Sequence, residues 1–233
     1  MPASRKIAGA LPWRKKGEAL PISTEEVLRY APIREALRHL YDRILAACPA
    51  EGGGIFAVTS AVGGEGKTVV AVALAQLMAD DLDKQVVLID ANFREPVLHR
   101  ILDVPLTPGL AGCIRLENSI QDATTRLGRF SVIPAGEEVN PARLARSGVA
   151  KAVMDEVRKS FDIAIIDLPS LLTASEASVM SSWADGLVMV VRADSTPAPA
   201  VSSAIESVPE GKVLGVVLNQ QRTCIPAWLD KLL

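Results

Sequence analysis

Eight consecutive residues, Ala61-Val62-Gly63-Gly64-Glu65-Gly66-Lys67-Thr68, carry three glycines, a lysine and a hydroxyl in the order of a Walker A loop, with alanine in place of the first glycine. Residue types at this spacing suit phosphate. Glycines let successive backbone N–H groups curl round a polyphosphate. A helix beginning at the end of the loop adds the positive end of its dipole. In such a loop Lys67 reaches the β- and γ-phosphates and the Thr68 hydroxyl binds Mg2+. Gly63, Gly64, Glu65, Gly66, Lys67 and Thr68 are therefore the candidate nucleotide-binding residues. The plain alternative is a glycine-rich turn between a strand and a helix. The order apolar run, loop, helical pattern favours the phosphate reading.

Two further apolar runs end in an acid. Val86–Asp90 leads into Ala91-Asn92-Phe93-Arg94, and Asp162–Asp167 ends in Asp167. Parallel strands bring their C-terminal ends to one edge, so Asp90 and Asp167 emerge where the phosphate loop lies. Carboxylates there suit a hard Mg2+ ion, held directly or through water. Asp167 reads as an ordinary Walker B acid, and Thr68, Asp90 and Asp167 are the candidate metal ligands. An aspartate at a strand end can also simply cap the next turn. The late run Val213–Leu218 is followed by Asn219-Gln220-Gln221-Arg222 rather than the Asn-Lys-x-Asp of guanine-selective loops. The acid that reads guanine is missing, so ATP is expected in preference to GTP. The Asn219 amide offers a donor and an acceptor to an adenine edge.

The elements that must position these residues can be read from hydropathy. Continuously apolar strands are expected at Ile55–Ser60, Val86–Asp90, Phe130–Pro134, Phe161–Asp167, Leu187–Val191 and Val213–Leu218. Unbroken runs of this kind fit parallel strands covered on both faces. Helical spacing occupies 67–79, 95–103, 142–159, 175–182 and 198–207, and a helix with its stripe at Ile33, Leu37, Leu40, Ile44 and Leu45 precedes the first strand. Alternation of strands and helices predicts an α/β fold with a doubly wound, mainly parallel sheet. One domain over 25–233 is expected, after a basic arm at 1–24 with Ser23 or Thr24 capping a first helix. The arm's first 17 residues carry +5 against a net charge of −2, leaving −7 on the rest. An acidic body argues against general nucleic-acid binding. Three scattered cysteines and two unclustered histidines argue against a disulfide scaffold or a zinc site. The absence of a long apolar run or a signal peptide leads us to expect a cytoplasmic protein. Cys113 and His99 are expected to be structural. Ile225, Trp228, Leu229, Leu232 and Leu233 form a stripe expected to pack on the protein body.

These motifs resemble the bacterial tyrosine kinases of capsule and exopolysaccharide synthesis, within the larger class of P-loop ATPases that includes ParA and MinD. The likeness runs over about residues 33–222 and rests on the loop at 61–68, the second Walker segment at 86–94, the Walker B strand at 162–167 and Glu35-Ala36-Leu37-Arg38. It implies ATP and Mg2+ as cofactors, with Lys67, Asp90 and Arg94 acting in catalysis. It implies ATPase or tyrosine-kinase-like phosphotransfer, and a partner in the cytoplasmic part of a membrane polysaccharide co-polymerase or export protein, at the inner face of the cell membrane. It also implies a homo-oligomer contact through the helix carrying Glu35 and Arg38. The departures are specific. Tyr41 replaces the second arginine of the Glu-x-x-Arg-x-x-Arg helix, and Asn92 replaces the second acid of Asp-x-Asp-x-Arg. Tyr30 and Tyr41 are the only tyrosines, so tail autophosphorylation is not expected. Val62 stands where ParA- and MinD-type proteins carry an extra lysine, which argues against a positioning ATPase. The alternatives are a degenerate ATP-binding regulatory subunit and a ParA/MinD-like positioning ATPase.

Overall fold

Residues 31–138 and 140–220 are described by the structure, a computed structural model, with side chains from Leu37 onward in the first helix. The basic arm, the Ser23/Thr24 cap and the C-terminal stripe lie outside the described residues. Seven strands form one sheet in the order β3-β4-β2-β5-β1-β6-β7. They are β1 (Gly54–Ser60), β2 (Val86–Asp90), β3 (Thr125–Leu127), β4 (Phe130–Ile133), β5 (Ile163–Asp167), β6 (Gly186–Arg192) and β7 (Val213–Asn219). Every pairing is parallel except β3 with β4.

Each central strand is buried along its whole length, which is why its sequence is an unbroken apolar run. Side chains nonetheless alternate between two cores. Phe56, Val58, Leu88 and Ile165 meet α1 (Ala31–Ala47) and α2 (Lys67–Asp81). Ile55, Ala57, Ile89 and Ile166 face the opposite core, with Val153, Met154 and Val157 of α7 (Gly148–Ser160). Helix α2 is buried from Val70 to Ala79 at every position but Gln76, so it lies between the sheet and α1. Helix α7 is amphipathic, with Ala150, Val153, Met154 and Val157 buried and Arg158 and Lys159 in its last turn. Two small helices, α8 (Ala177–Ser181) and α9 (Ala198–Glu206), cover the β6 side.

The expected doubly wound sheet is present, with three local differences. The helix expected over 95–103 is only α3 (Leu98–Ile101), because Pro96 precedes it and Asp103 leaves helical geometry with φ 52°. The segment 142–159 divides into α6 (Pro141–Ala145) and α7, because the Ser147 hydroxyl turns to accept from Val149 N at 3.2 Å and starts a new helix. The edge strand β3 was not expected. Its pairing with β4 is set by the two-residue Gly128-Arg129 turn, with Gly128 at φ 54°. Between α3 and β3 lie two short helices, α4 (Leu110–Ile114) and α5 (Ile120–Ala123), too brief to show a helical period.

Strand order places the site. From β1 the chain crosses to β2 on one side, and from β5 it crosses to β6 on the other. The crevice opens at the C-terminal ends of β1 and β5, where the direction of winding reverses. No helix among the described residues is long and apolar enough to cross a membrane.

Candidate nucleotide-binding site

Strand β1 delivers residues 61–66 to that crevice, and α2 starts at Lys67. Gly64 and Gly66 sit at φ 82° and 89°, in the left-handed region open to glycine. Gly66 is needed for a second reason. A Cβ there would stand 2.2 Å from Asn219 Nδ2. The loop tip at Gly63 and Gly64 is exposed, and Lys67 is half-buried at the head of α2. Helix α2 has no side-chain cap, so its first N–H groups and its dipole face the crevice.

The two acids meet as the strand ends predict. Asp90 and Asp167 are register partners across β2 and β5, and both are fully buried. Thr68 Oγ1 donates to Asp167 Oδ2 at 2.6 Å. Asp167 Oδ1 is buried with no hydrogen-bond partner. Asp90 accepts backbone N–H groups on both oxygens, from Asn92 at 3.0 Å and from Val97 and Leu98 at 3.2 Å each. Those last two amides begin α3, so Asp90 also fixes the entry of that helix. Burial first, and then the charge of Asp167, pushes the Asp90 carboxyl up to about 7, while its three amide donors pull the other way. Burial raises Asp167 as well, and Lys67 and the Thr68 hydroxyl oppose the shift.

A hydroxyl, an orphaned carboxylate oxygen and a second carboxylate make a set of hard oxygen donors, which fits Mg2+. Among the described residues no cluster of three or more His, Cys, Asp or Glu could hold a metal alone.

The remaining expected residues are placed as follows. Asn92 is buried, and its amide donates to Glu95 O at 3.0 Å. Asn219 Nδ2 donates to Glu65 O at 2.9 Å, and Asn219 Oδ1 accepts from Gln220 N at 2.9 Å. Both ends of this amide thus have partners within the chain, and one of them braces the phosphate loop. Arg38 is exposed on α1, and Tyr41 is half-buried against the core beside α2. The side chain of Glu35 lies outside the described residues. Cys113 packs in the α7-side core, and burial pushes its thiol up to about 11, as suits a structural residue.

Arg94 lies in the β2–α3 connection with its side chain half exposed, bound to Glu176, whose side chain is 1% exposed. Nε and Nη2 both reach the carboxylate, the latter at 2.8 Å. Sequence reading missed Glu176; its only signal was an acid inside the apolar stretch after β5. The Arg94 hydrogen bonds hold the Glu176 carboxyl below the usual range, against burial. A depressed acid stabilises the fold above its unfolded pKa, and that stabilisation is lost as pH falls through the folded value. Arg94→Ala is therefore expected to lower stability at pH 7 by about 1–2 kcal/mol, below the cost of breaking a fully buried pair because the guanidinium is half in water. The deficit should shrink at pH 4, where the abandoned carboxyl is protonated. Urea denaturation at the two pH values checks this; an equal deficit at both contradicts it.

Comparison with known proteins agrees with the fold. Residues 56–223 match the family described as the CobQ/CobB/MinD/ParA nucleotide binding domain. The tyrosine-protein kinase YwqD of Bacillus subtilis is 31% identical over 170 residues, 71% of each chain. The succinoglycan biosynthesis transport protein ExoP of Rhizobium meliloti is 30% identical over 179 residues, which is 71% of this chain but 22% of ExoP. The crystal structure of the chimerical protein CapA2B2 superposes with a TM-score of 0.76 at 26% identity, covering 83% of this chain and 87% of that one. The chain belongs to the CobQ/CobB/MinD/ParA nucleotide-binding family, in the branch that holds the bacterial tyrosine kinases.

Proposed function

We propose that this protein binds Mg·ATP in the 61–68 loop and transfers or releases the γ-phosphoryl group while working with the cytoplasmic part of a membrane polysaccharide co-polymerase or export protein. The observation that carries the reading is the buried Asp90–Asp167 pair, with Thr68 bonded to one Asp167 oxygen and the other left without a partner. Thr68 and Asp167, with Asp90 beside them, would hold Mg2+, which supplies charge neutralisation at the phosphates. Gly63, Gly64, Glu65 and Gly66 present backbone amides to the polyphosphate. Lys67 offsets charge that builds on the phosphoryl oxygens, and Arg94 adds its charge from the position Glu176 gives it. The tyrosine-kinase relatives support phosphotransfer, and ExoP, named for succinoglycan transport, supports the polysaccharide setting. Placement at the inner face of the cell membrane, and self-assembly through the α1 helix carrying Glu35 and Arg38, belong to the same proposal.

A second reading is favoured by Asn92. The position that holds an acid in the related kinases here carries a neutral amide turned to Glu95 O. An ATP-binding regulator that transfers no phosphate would tolerate that change. Labelled γ-phosphate, followed to the partner and to water in wild type and Lys67→Met, separates the two. Transfer to either acceptor, lost in the variant, supports the enzyme. ATP bound with label in neither product leaves the regulator.

A further inference from the structure

Glu65 is an odd choice for a loop that binds anions, and no role for its side chain follows from the sequence. Its side chain is buried within that loop, and the residue is 1% exposed. Oε2 accepts Val62 N at 3.0 Å, which closes the loop on itself. Oε1 accepts Arg192 N at 3.0 Å and the Thr196 hydroxyl. The Glu65 carbonyl accepts Asn219 Nδ2 at 2.9 Å. One residue therefore binds the end of β6, the turn between β6 and α9, and the end of β7. Those ends are also joined to each other, by Ala193 N donating to Asn219 O at 2.9 Å. A buried carboxylate beside a polyphosphate site is costly unless its lone pairs are used. Here every use points to residues 192–196 or to the loop's own start.

Position in the sheet gives this a direction. The metal-binding acids lie on β5 and β2, to one side of β1, and β6 and β7 lie to the other. For a polyphosphate whose terminal group sits beside Thr68 and Asp167, β6 and β7 form the side left for its other end. Residues 192–196 and Asn219, which Glu65 binds, stand on that side.

We infer that Glu65 is a positioning residue for the nucleoside end of the ligand. It fastens the β6–α9 turn to the phosphate loop, so that the wall against which ribose and base rest is set by the phosphate cradle. This rests on the nucleotide reading above and extends it.

The test uses two ligands that share the phosphates and differ in the nucleoside, Mg·ATP and Mg·tripolyphosphate. Thr196→Val removes one hydroxyl donor outside the phosphate loop and keeps the side-chain shape. Glu65→Gln sets an amide donor against Val62 N or against the turn. By calorimetry Thr196→Val is expected to weaken ATP binding about tenfold, as loss of a hydrogen bond to a charged group does, and to leave tripolyphosphate within about twofold. Thr196→Ser should restore ATP binding. Equal losses for both ligands would make Glu65 a brace of the phosphate loop alone and overturn the inference. So would unchanged ATP binding in Thr196→Val and Glu65→Gln. Wild type that binds tripolyphosphate but gains nothing from the nucleoside also overturns it, while phosphate binding stands. Wild type that binds neither ligand contradicts the nucleotide reading itself, and this one with it.

Discussion

Lys67→Met is expected to slow γ-phosphoryl release from Mg·ATP by about 10²–10³-fold, the effect of deleting one preorganised group that stabilises transition-state charge. The reason lies in where the residue starts α2. Lys67 stands at the helix's positive end, next to Thr68, and its charge already acts on Asp167 across the crevice. Methionine keeps the length and the apolar stem and removes only the ammonium. The chemical step should therefore suffer more than the fold. Single-turnover release of labelled phosphate under saturating nucleotide is the measurement. A rate within about threefold of wild type would remove Lys67 from the chemistry.

Asp167→Asn is expected to move two properties in opposite directions. In the metal-free protein at pH 8 it should raise stability by about 1–2 kcal/mol, because burial penalises the charged form of Asp167 and the neutral amide that replaces it still accepts from Thr68. The amide nitrogen takes the place of Oδ1, and its unpaired N–H groups there cost less than a buried ionised carboxylate does. Asp90 feels the change. Its carboxyl, raised to about 7 by burial and by Asp167, keeps in the folded state a proton that the unfolded chain has released. For such a group wild-type stability falls as pH rises from about 4 through about 7. Removing the Asp167 charge lowers the folded Asp90 value and flattens that slope. Mg2+-dependent nucleotide binding should fall about 100-fold in the same variant, if Asp167 holds the ion as proposed, since an anionic oxygen is then lost from its shell. Urea denaturation from pH 5 to 9, without metal, reads the first effect and nucleotide titration reads the second. A destabilised variant that still binds Mg·ATP would contradict both halves.

The sheet was legible because its strands are covered on both faces, and β2, β5 and the start of α2 fall within two residues of where hydropathy puts them. The acids at the ends of two such strands needed only the parallel direction to be brought together. What the sequence did not show are pairings between distant residues. Arg94 and Glu176 are 82 positions apart, and Glu65 meets Arg192 and Thr196 across 127 and 131. No local pattern encodes such contacts. Asn219 illustrates the limit from another side. Its sequence suggests an amide offered to an adenine edge, whereas in the structure two hydrogen bonds inside the chain engage it. The helix over 142–159 failed as a single element because one hydroxyl, Ser147, recasts the backbone between two turns of otherwise continuous pattern.

Calorimetric titration of the full chain with ATP, with and without Mg2+, tests the central claim most directly. One nucleotide bound per chain, tightened by Mg2+ in wild type and indifferent to it in Asp167→Asn, is the predicted result. No heat at millimolar ATP and Mg2+, or identical isotherms for the two proteins, would contradict it.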